Sequence, residues 1–75
     1  MAIVRLHLTL IEMAEGRQNI LVEDGKSVRL TTLLDRLGVP YDEVGIVVRN
    51  RKMDDIDCMI DPDDVVELFP ILSGG

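Results

Sequence analysis

Two glycines at the end of the sequence are the residues whose type and position best suit chemistry. Gly74 and Gly75 follow Ser73 at the C-terminus. Because glycine has no Cβ, such a segment can pass through a narrow channel in another protein where a larger side chain would clash. The Gly75 carboxylate could then reach a bound nucleotide and be activated, for example as an acyl-adenylate. The alternative interpretation is a frayed chain end, since chain ends are commonly disordered.

The other candidate reactive residues predict no active site. His7 falls on the polar face of the first predicted strand, without a Cys or carboxylate at a metal-ligand spacing, and we expect it to be solvated. Cys58 follows Asp57, and a neighbouring carboxylate raises the pKa of a thiol, so we expect Cys58 to pack rather than react. A redox or sulfur-transfer role is its alternative. Neither a nucleophile–histidine set nor a phosphate-binding loop can be assembled, so we expect no intrinsic catalytic residue.

The last third of the chain is strongly acidic. All seven charged residues in 54–75 are Asp or Glu, whereas residues 1–53 are nearly neutral. A calcium-binding loop of the EF-hand type needs Glu twelve positions from its first acid. Counting from Asp54, Asp55, Asp57 or Asp61 reaches Val or Leu instead, so we expect no metal site. The segment is then either a solvated surface or an acidic docking face for a basic partner.

Size and charge exclude several classes of function. A chain of 75 residues allows one small domain and leaves little room for an enclosed active site, so an enzyme is disfavoured. A net charge of −6 disfavours binding to nucleic acid or to anionic membranes. The sequence contains no apolar run of about 20 residues, and residues 1–5 lead us to expect no signal peptide. One cysteine cannot form an internal disulfide, which favours the cytoplasm.

Two apolar patterns predict the secondary structure. Leucines at helical spacing predict a helix over 30–37, with Gly38 as its C-terminal cap and Ser27 as either its N-cap or a turn residue. Segments that alternate or are rich in β-branched residues predict strands. The predicted strands cover 4–10, 17–23, 44–48 (buried) and 65–70, with 53–60 mostly irregular or an edge strand, 12–16 a connection, and 50–52 and 61–64 turns.

This order of elements predicts an α+β fold of the β-grasp (ubiquitin-like) type. A mixed sheet of four to five strands would carry one main helix on one face, with the first two strands in an antiparallel hairpin. The first and last strands would lie side by side and parallel at the centre, joined by a crossover. We expect residues 1–70 to form this domain and residues 71–75 to form a flexible Gly-Gly tail.

The last predicted strand places an aromatic residue beside that tail. Val66 and Leu68 point to one face, and Glu67 and Phe69 to the other. If Leu68 belongs to the core, Phe69 shares the opposite face with a charged residue and is either a partly exposed interface anchor or buried at the end of the sheet.

The C-terminal segment resembles a known family. Residues 63–75, with Phe69-Pro70 and the final Gly74-Gly75, are similar to the ending of the small ubiquitin-like sulfur carriers. These include the small subunit of molybdopterin synthase and the sulfur carrier for thiamine thiazole formation. The segment 47–50 and the helix 30–37 resemble the body of that family. The chain departs from it at Asp63-Asp64, where Gly-Asp is usual, and at Ile71, where the molybdopterin type often has a second proline.

The resemblance implies a carrier rather than an enzyme, at most the non-catalytic small subunit of a synthase. An ATP-dependent adenylating enzyme of the ubiquitin-activating type would activate Gly75, and a sulfur donor enzyme would convert it to a thiocarboxylate. With an acceptor synthase subunit as partner, the thiocarboxylate would pass its sulfur to an acceptor such as a molybdopterin precursor. The carrier would bind no cofactor, because ATP belongs to the partner. Gly74 and Ser73 would thread into the enzyme, and the partner-binding residues would be Asp64, Glu67, Phe69, Pro70, Ile71 and Leu72.

Three alternatives use the same features. A protein modifier would join the activated Gly75 to lysines through an isopeptide bond. A sulfur carrier for thiamine thiazole would use the same thiocarboxylate. A non-covalent β-grasp interaction module would make no use of the glycines.

Overall fold

A computed structural model describes residues 1–23 and 25–71. Its main sheet has five strands in the order β2-β1-β7-β4-β5, and a two-stranded sheet pairs β3 with β6. The strands are β1 Ala2–Leu6, β2 Asn19–Val22, β3 Val28–Arg29, β4 Val44–Arg49, β5 Lys52–Asp54, β6 Met59–Ile60 and β7 Val65–Pro70. The helices are α1 Thr9–Met13, α2 Leu30–Leu37 and a 3₁₀ turn at Tyr41–Glu43. In the described ranges, no helix is long and apolar enough to span a membrane.

The centre of the sheet confirms the predicted topology. β1 runs antiparallel to β2 and parallel to β7, and Leu6 lies opposite Leu68. β4 covers the other edge of β7 in antiparallel orientation. A parallel neighbour requires a crossover between the two strands, and here it contains α2. The structure therefore has the predicted β-grasp arrangement, with β7 in the middle of the sheet.

The helix over 30–37 is also confirmed. Its four leucines are buried against the inner face of the sheet: Leu30, Leu33, Leu34 and Leu37. Gly38 ends the helix at a left-handed φ of 75°, as a C-terminal cap requires. Ser27 does not cap the helix, because the N-cap position belongs to Arg29 and the Ser27 hydroxyl donates to Asp61 Oδ1 at 2.5 Å.

The predicted strand over 4–10 is wrong in its second half, and the predicted connection over 12–16 is wrong at its first two residues, which are helical. β1 ends at Leu6, the chain turns at Leu8 with φ 56°, and Thr9–Met13 forms α1. Leu8 is 64% exposed, whereas Leu10 and Ala14 are fully buried. Two buried residues four positions apart fit a helix, and the alternation at 4–10 masked this change of period.

Residues 44–60 differ from the sequence prediction in side-chain burial and in secondary structure. The strand over 44–48 was expected to be buried, but β4 buries only Val47 because its other face is open. The segment over 53–60, expected to be mostly irregular or an edge strand, contains β6 and most of β5, which is an edge strand of the main sheet. Of its expected core contacts, Ile60 is buried and Ile56 packs on the core, whereas Met59 is 40% exposed.

Candidate functional site

The C-terminal end of β7 lies at the middle of the sheet. Val66 and Leu68 are fully buried on the inner face, whereas Glu67 and Phe69 lie half-buried on the outer face, as the alternation predicted. Pro70 is buried, and Ile71 is 52% exposed. The inner face of β7 is thus anchored in the core, whereas the outer face and the C-terminal end of the strand remain partly accessible to a partner.

His7 joins Phe69 and Glu67 on this outer face. Its imidazole stacks on the Phe69 ring with centroids 4.3 Å apart and planes inclined by 5°. Its Nε2 lies 3.2 Å from Glu67 Oε1. The expected solvated histidine is therefore wrong, since the His7 side chain is only 28% exposed. Because β1 and β7 are parallel, their register brings position 7 next to 67–69, a pairing that the local sequence does not display.

Gly45 determines how the chain leaves β7. A β-bulge between Val44 and Ile46 brings its backbone against the end of the strand. A Cβ at Gly45 would lie 3.0 Å from both Ile71 Cα and the Pro70 carbonyl oxygen. The Ile71 amide also donates to the Glu43 carbonyl at 3.2 Å. These contacts fix the backbone at Pro70 and Ile71. Sequence analysis missed Gly45, since a glycine within a predicted strand is only a general signal for a bulge or close approach.

We expect Gly45→Ala to disturb this exit. Its Cβ would press on backbone, which cannot rotate away, so the free energy of unfolding should fall by about 1 to 3 kcal/mol. Amide NMR shifts should change most at Phe69 and Ile71, the two neighbours of Pro70. Urea unfolding and a ¹⁵N spectrum measure both effects. Ile46→Ala, which truncates an exposed side chain on the same strand, is the control. An unchanged Ile71 amide in Gly45→Ala would refute the role assigned to Gly45.

Arg49 pairs with three carboxylates of the acidic segment. Its Nε lies 3.0 Å from Asp54 Oδ2, and its Nη1 lies 2.9 Å from Asp64 Oδ2 and 3.6 Å from Asp61 Oδ2. The hydrogen bonds that Arg49 donates to Asp64 and Asp54 raise its pKa. Hydrogen bonding by the Asp55 amide, and then by Arg49, lowers the pKa of Asp54. Part of the acidic run is therefore engaged within the fold.

Asp64 shapes the turn that precedes β7. Its carboxylate accepts hydrogen bonds from Asn50 Nδ2 and the Asp61 amide, both at 2.8 Å, and the residue is 8% exposed. Burial raises the pKa of Asp64, but hydrogen bonds from Asn50, the Asp61 amide and Arg49 outweigh it, and the pKa lies below its usual range. The predicted turn is confirmed, and Asp63 adopts a left-handed φ of 73°. The Asp64 carboxylate is therefore engaged in hydrogen bonds within the fold, and its expected role in partner binding stays a prediction.

Acid should destabilise the protein through these carboxylates. The pKa values of Asp54 and Asp64 are lowered by folding, so the stability they contribute is complete above about pH 4 and is lost as pH falls through their folded values. Urea unfolding midpoints measured from about pH 6 down to about pH 2 should decline most below pH 4. Asp64→Asn should flatten that decline, whereas Asp42→Asn should leave it unchanged. An equally steep decline in Asp64→Asn would contradict this account.

The pKa of the Cys58 thiol is raised, as the sequence predicted. Burial is the main cause that raises the pKa of its thiol, followed by Asp54, while Arg49 opposes them and Asp57 adds less. The neighbouring acids expected to dominate are thus secondary to burial. In residues 1–23 and 25–71, no three His, Cys, Asp or Glu side chains are grouped so that they could hold a metal ion.

A cavity of about 410 Å³ opens at the other end of β7, on a surface that sequence analysis did not single out. Its walls come from β1, the turn after β4, and β7, and comprise Arg5, Asn50, Arg51, Val65 and Glu67. Position 5 lies on the outer face beside position 67 in the parallel register. The cavity is therefore assembled by residues distant in sequence.

The predicted tail residues Leu72, Ser73, Gly74 and Gly75 lie outside the described residues. The roles expected for them, and the division into residues 1–70 and 71–75, stay predictions.

Comparison with known proteins gives a structural relative. No protein-family model matches the chain, and no curated protein does. Among solved structures, SAMP1 from Haloferax volcanii matches with a TM-score of 0.66 and 26% sequence identity. The match covers 99% of this chain and 98% of that chain, and the two share the β-grasp fold.

Proposed function

From its place among the ubiquitin-like β-grasp proteins, we propose that this chain is a sulfur carrier whose reactive group is the Gly75 carboxylate. The observation that carries the proposal is the end of β7. There the central strand, anchored by Leu68, delivers Ile71 past the partly exposed Phe69, and the sequence reaches Gly74-Gly75 a few residues later. Likeness to SAMP1 along nearly the whole chain supports the ubiquitin-like class.

The proposed reaction begins in a partner enzyme of the ubiquitin-activating type. A Gly75 carboxylate oxygen attacks the α-phosphorus of ATP, and pyrophosphate leaves. A sulfur donor enzyme then supplies sulfide, which forms a C–S bond as the C–O bond to AMP breaks. The product is a thiocarboxylate at Gly75. In complex with an acceptor synthase subunit, it passes its sulfur to a cofactor precursor, for which a molybdopterin precursor is our first choice, and water restores the carboxylate.

The chain itself contributes shape and a docking surface. We define this surface by three partly exposed residues, Glu67 and Phe69 on the outer face of β7 and Ile71 just after the strand. Phe69 is already held in place by His7, so little side-chain entropy is lost when a partner covers it. Pro70 is buried and supports the direction of the chain rather than the contact. The expected location is the cytoplasm, where ATP and reduced sulfur donors are available.

Phe69→Ala should weaken this docking. The KM of the adenylating enzyme for the carrier should rise about 10-fold or more, with kcat nearly unchanged, because an aromatic anchor stabilises the bound and reacting states equally. Carrier-dependent exchange of pyrophosphate into ATP measures both constants. Tyr41→Ala removes the other aromatic residue, which bonds Asp35 and Thr31 instead, and is the control. Equal KM values for Phe69→Ala and the unaltered chain would rule out this docking surface.

A second candidate function is protein modification through the same activated Gly75. The likeness to SAMP1 favours it, because it places the chain with the ubiquitin-like class as a whole. An isopeptide bond to lysine would produce conjugates of higher mass that form only with ATP and intact Gly75. Cell extract supplemented with tagged chain, with and without Gly75, tests this function. Conjugates without any thiocarboxylate would favour the modifier over the carrier.

A further inference from the structure

The cavity at the start of β7 is large enough for a small ligand. Its volume of about 410 Å³ falls within the range of small-molecule sites. It lies on the outer face around Val65 and shares Glu67 with the docking surface, whose other two residues, Phe69 and Ile71, lie farther along the chain. Val65 and Ile71, where the chain leaves the strand, are six positions apart, or about 20 Å. The cavity therefore belongs to a different part of the molecule from the proposed tail chemistry.

Two guanidinium groups at this cavity lack a counter-charge. Within residues 1–23 and 25–71, the guanidinium group of neither Arg5 nor Arg51 makes a hydrogen bond or ion pair. Glu67 stands opposite Arg5 in the register, yet its carboxylate bonds His7 instead. By contrast, Arg49 gathers three carboxylates. In a chain of net charge −6, a cavity lined by two arginines and one glutamate is a local site of net positive charge.

The backbone conformation of Arg51 gives an independent indication that the cavity is a functional site. Asn50 and Arg51 have φ values of 52° and 69° and connect β4 to β5. A two-residue hairpin with both φ values positive favours Asn followed by Gly. Asn50 fits that preference, but Arg51 holds a strained conformation where glycine would be relaxed. Strain kept at a charged residue beside a cavity is typical of a functional position.

We propose that this cavity binds an oxyanion, a phosphate or carboxylate group of a ligand, through Arg5 and Arg51. Guanidinium groups present planar pairs of N–H donors that match both kinds of anion. Asn50 does not take part, because its amide donates to Asp64 and its oxygen accepts from the Val65 amide. The Glu67 carboxylate repels an anion, so the anion lies toward Arg51. Glu67 can accept a hydrogen bond from a hydroxyl or ammonium group on the rest of the ligand.

Titration of the ¹⁵N-labelled chain tests the site. Inorganic phosphate and glutarate, added separately at constant ionic strength, serve as probes of the two anion sources. We expect saturable amide shifts centred on residues 5, 50–51 and 65–67, with a dissociation constant of order 1 mM. The double variant Arg5→Gln/Arg51→Gly should bind at least about 10-fold more weakly, because both charge-assisted contacts are lost. Lys26→Gln, which removes a charge outside the cavity, should bind like the unaltered chain.

Each outcome has a defined meaning. Saturation by one probe alone identifies that class of ligand, phosphate or carboxylate, and if both saturate the site, the probe with the lower dissociation constant identifies the class. Absence of saturable shifts with both probes overturns the proposal, as do equal affinities in the double variant and the unaltered chain. The variant remains folded in either case, since Arg51→Gly relaxes the turn and should raise the urea midpoint. A lowered midpoint would make Arg51 a structural residue and also overturn the proposal. Neither ATP nor the tail takes part, so the result is independent of the sulfur-carrier function.

Discussion

Leu68→Ala is expected to remove about half of the stability of the fold. Leu68 is fully buried on the central strand, opposite Leu6 of β1 and Val47 of β4. A leucine truncated in a packed core costs about 2 to 5 kcal/mol. A domain of this length has a total stability of about 4 to 11 kcal/mol. Urea unfolding followed by circular dichroism should therefore show a large fall in the urea midpoint, and a fraction of the molecules should be unfolded even without urea.

Val65→Ala is the matched control on the same strand. Val65 points to the outer face and is 38% exposed, so its truncation should change the free energy of unfolding by less than about 1 kcal/mol. A Leu68→Ala protein as stable as Val65→Ala would contradict the assignment of the two faces of β7. Loss of carrier activity in Leu68→Ala should accompany loss of folded protein, because Leu68 has no part in docking.

Deletion of Gly74 and Gly75 is expected to abolish activation completely while leaving the fold intact. Within residues 1–23 and 25–71, every strand and helix lies before Ile71, so the unfolding midpoint should not change. The adenylating enzyme should then show no carrier-dependent exchange of pyrophosphate into ATP, because the attacking carboxylate no longer reaches the nucleotide. Ser73→Ala, which keeps both glycines and the length of the chain, is the control and should retain most of the exchange. Full exchange by the deleted chain would exclude Gly75 as the reactive residue.

The parts of the fold that the sequence could predict are those with an unambiguous period. Four leucines at helical spacing, followed by Gly38, identified α2 within its observed bounds. Alternation at Val65–Pro70 identified β7 and its buried face. At Leu8 and Leu10, however, alternation continued past the end of the strand by coincidence of residue type. The short helix α1 was therefore missed, since its first turn offers only two apolar positions that could equally belong to a strand.

The candidate site was predicted where it is local and missed where it depends on register. Phe69 was placed beside Glu67 from their spacing alone, and both lie on the outer face. The stacking of His7 on Phe69 depends on how β1 pairs with a strand sixty residues later. The contact of Gly45 with the Pro70–Ile71 backbone depends on a bulge. The acidic run was likewise read as one surface, although Arg49 draws three of its carboxylates into the fold.

The mass of the chain after reaction tests the central claim most directly. The purified chain would be incubated with ATP, an adenylating enzyme of the ubiquitin-activating type and sulfide, and its intact mass and fragments would be recorded. A sulfur carrier should gain the difference between sulfur and oxygen, located by fragmentation at Gly75, and only when ATP is present. An unmodified Gly75 in a chain that the enzyme demonstrably adenylates would contradict the sulfur-carrier function.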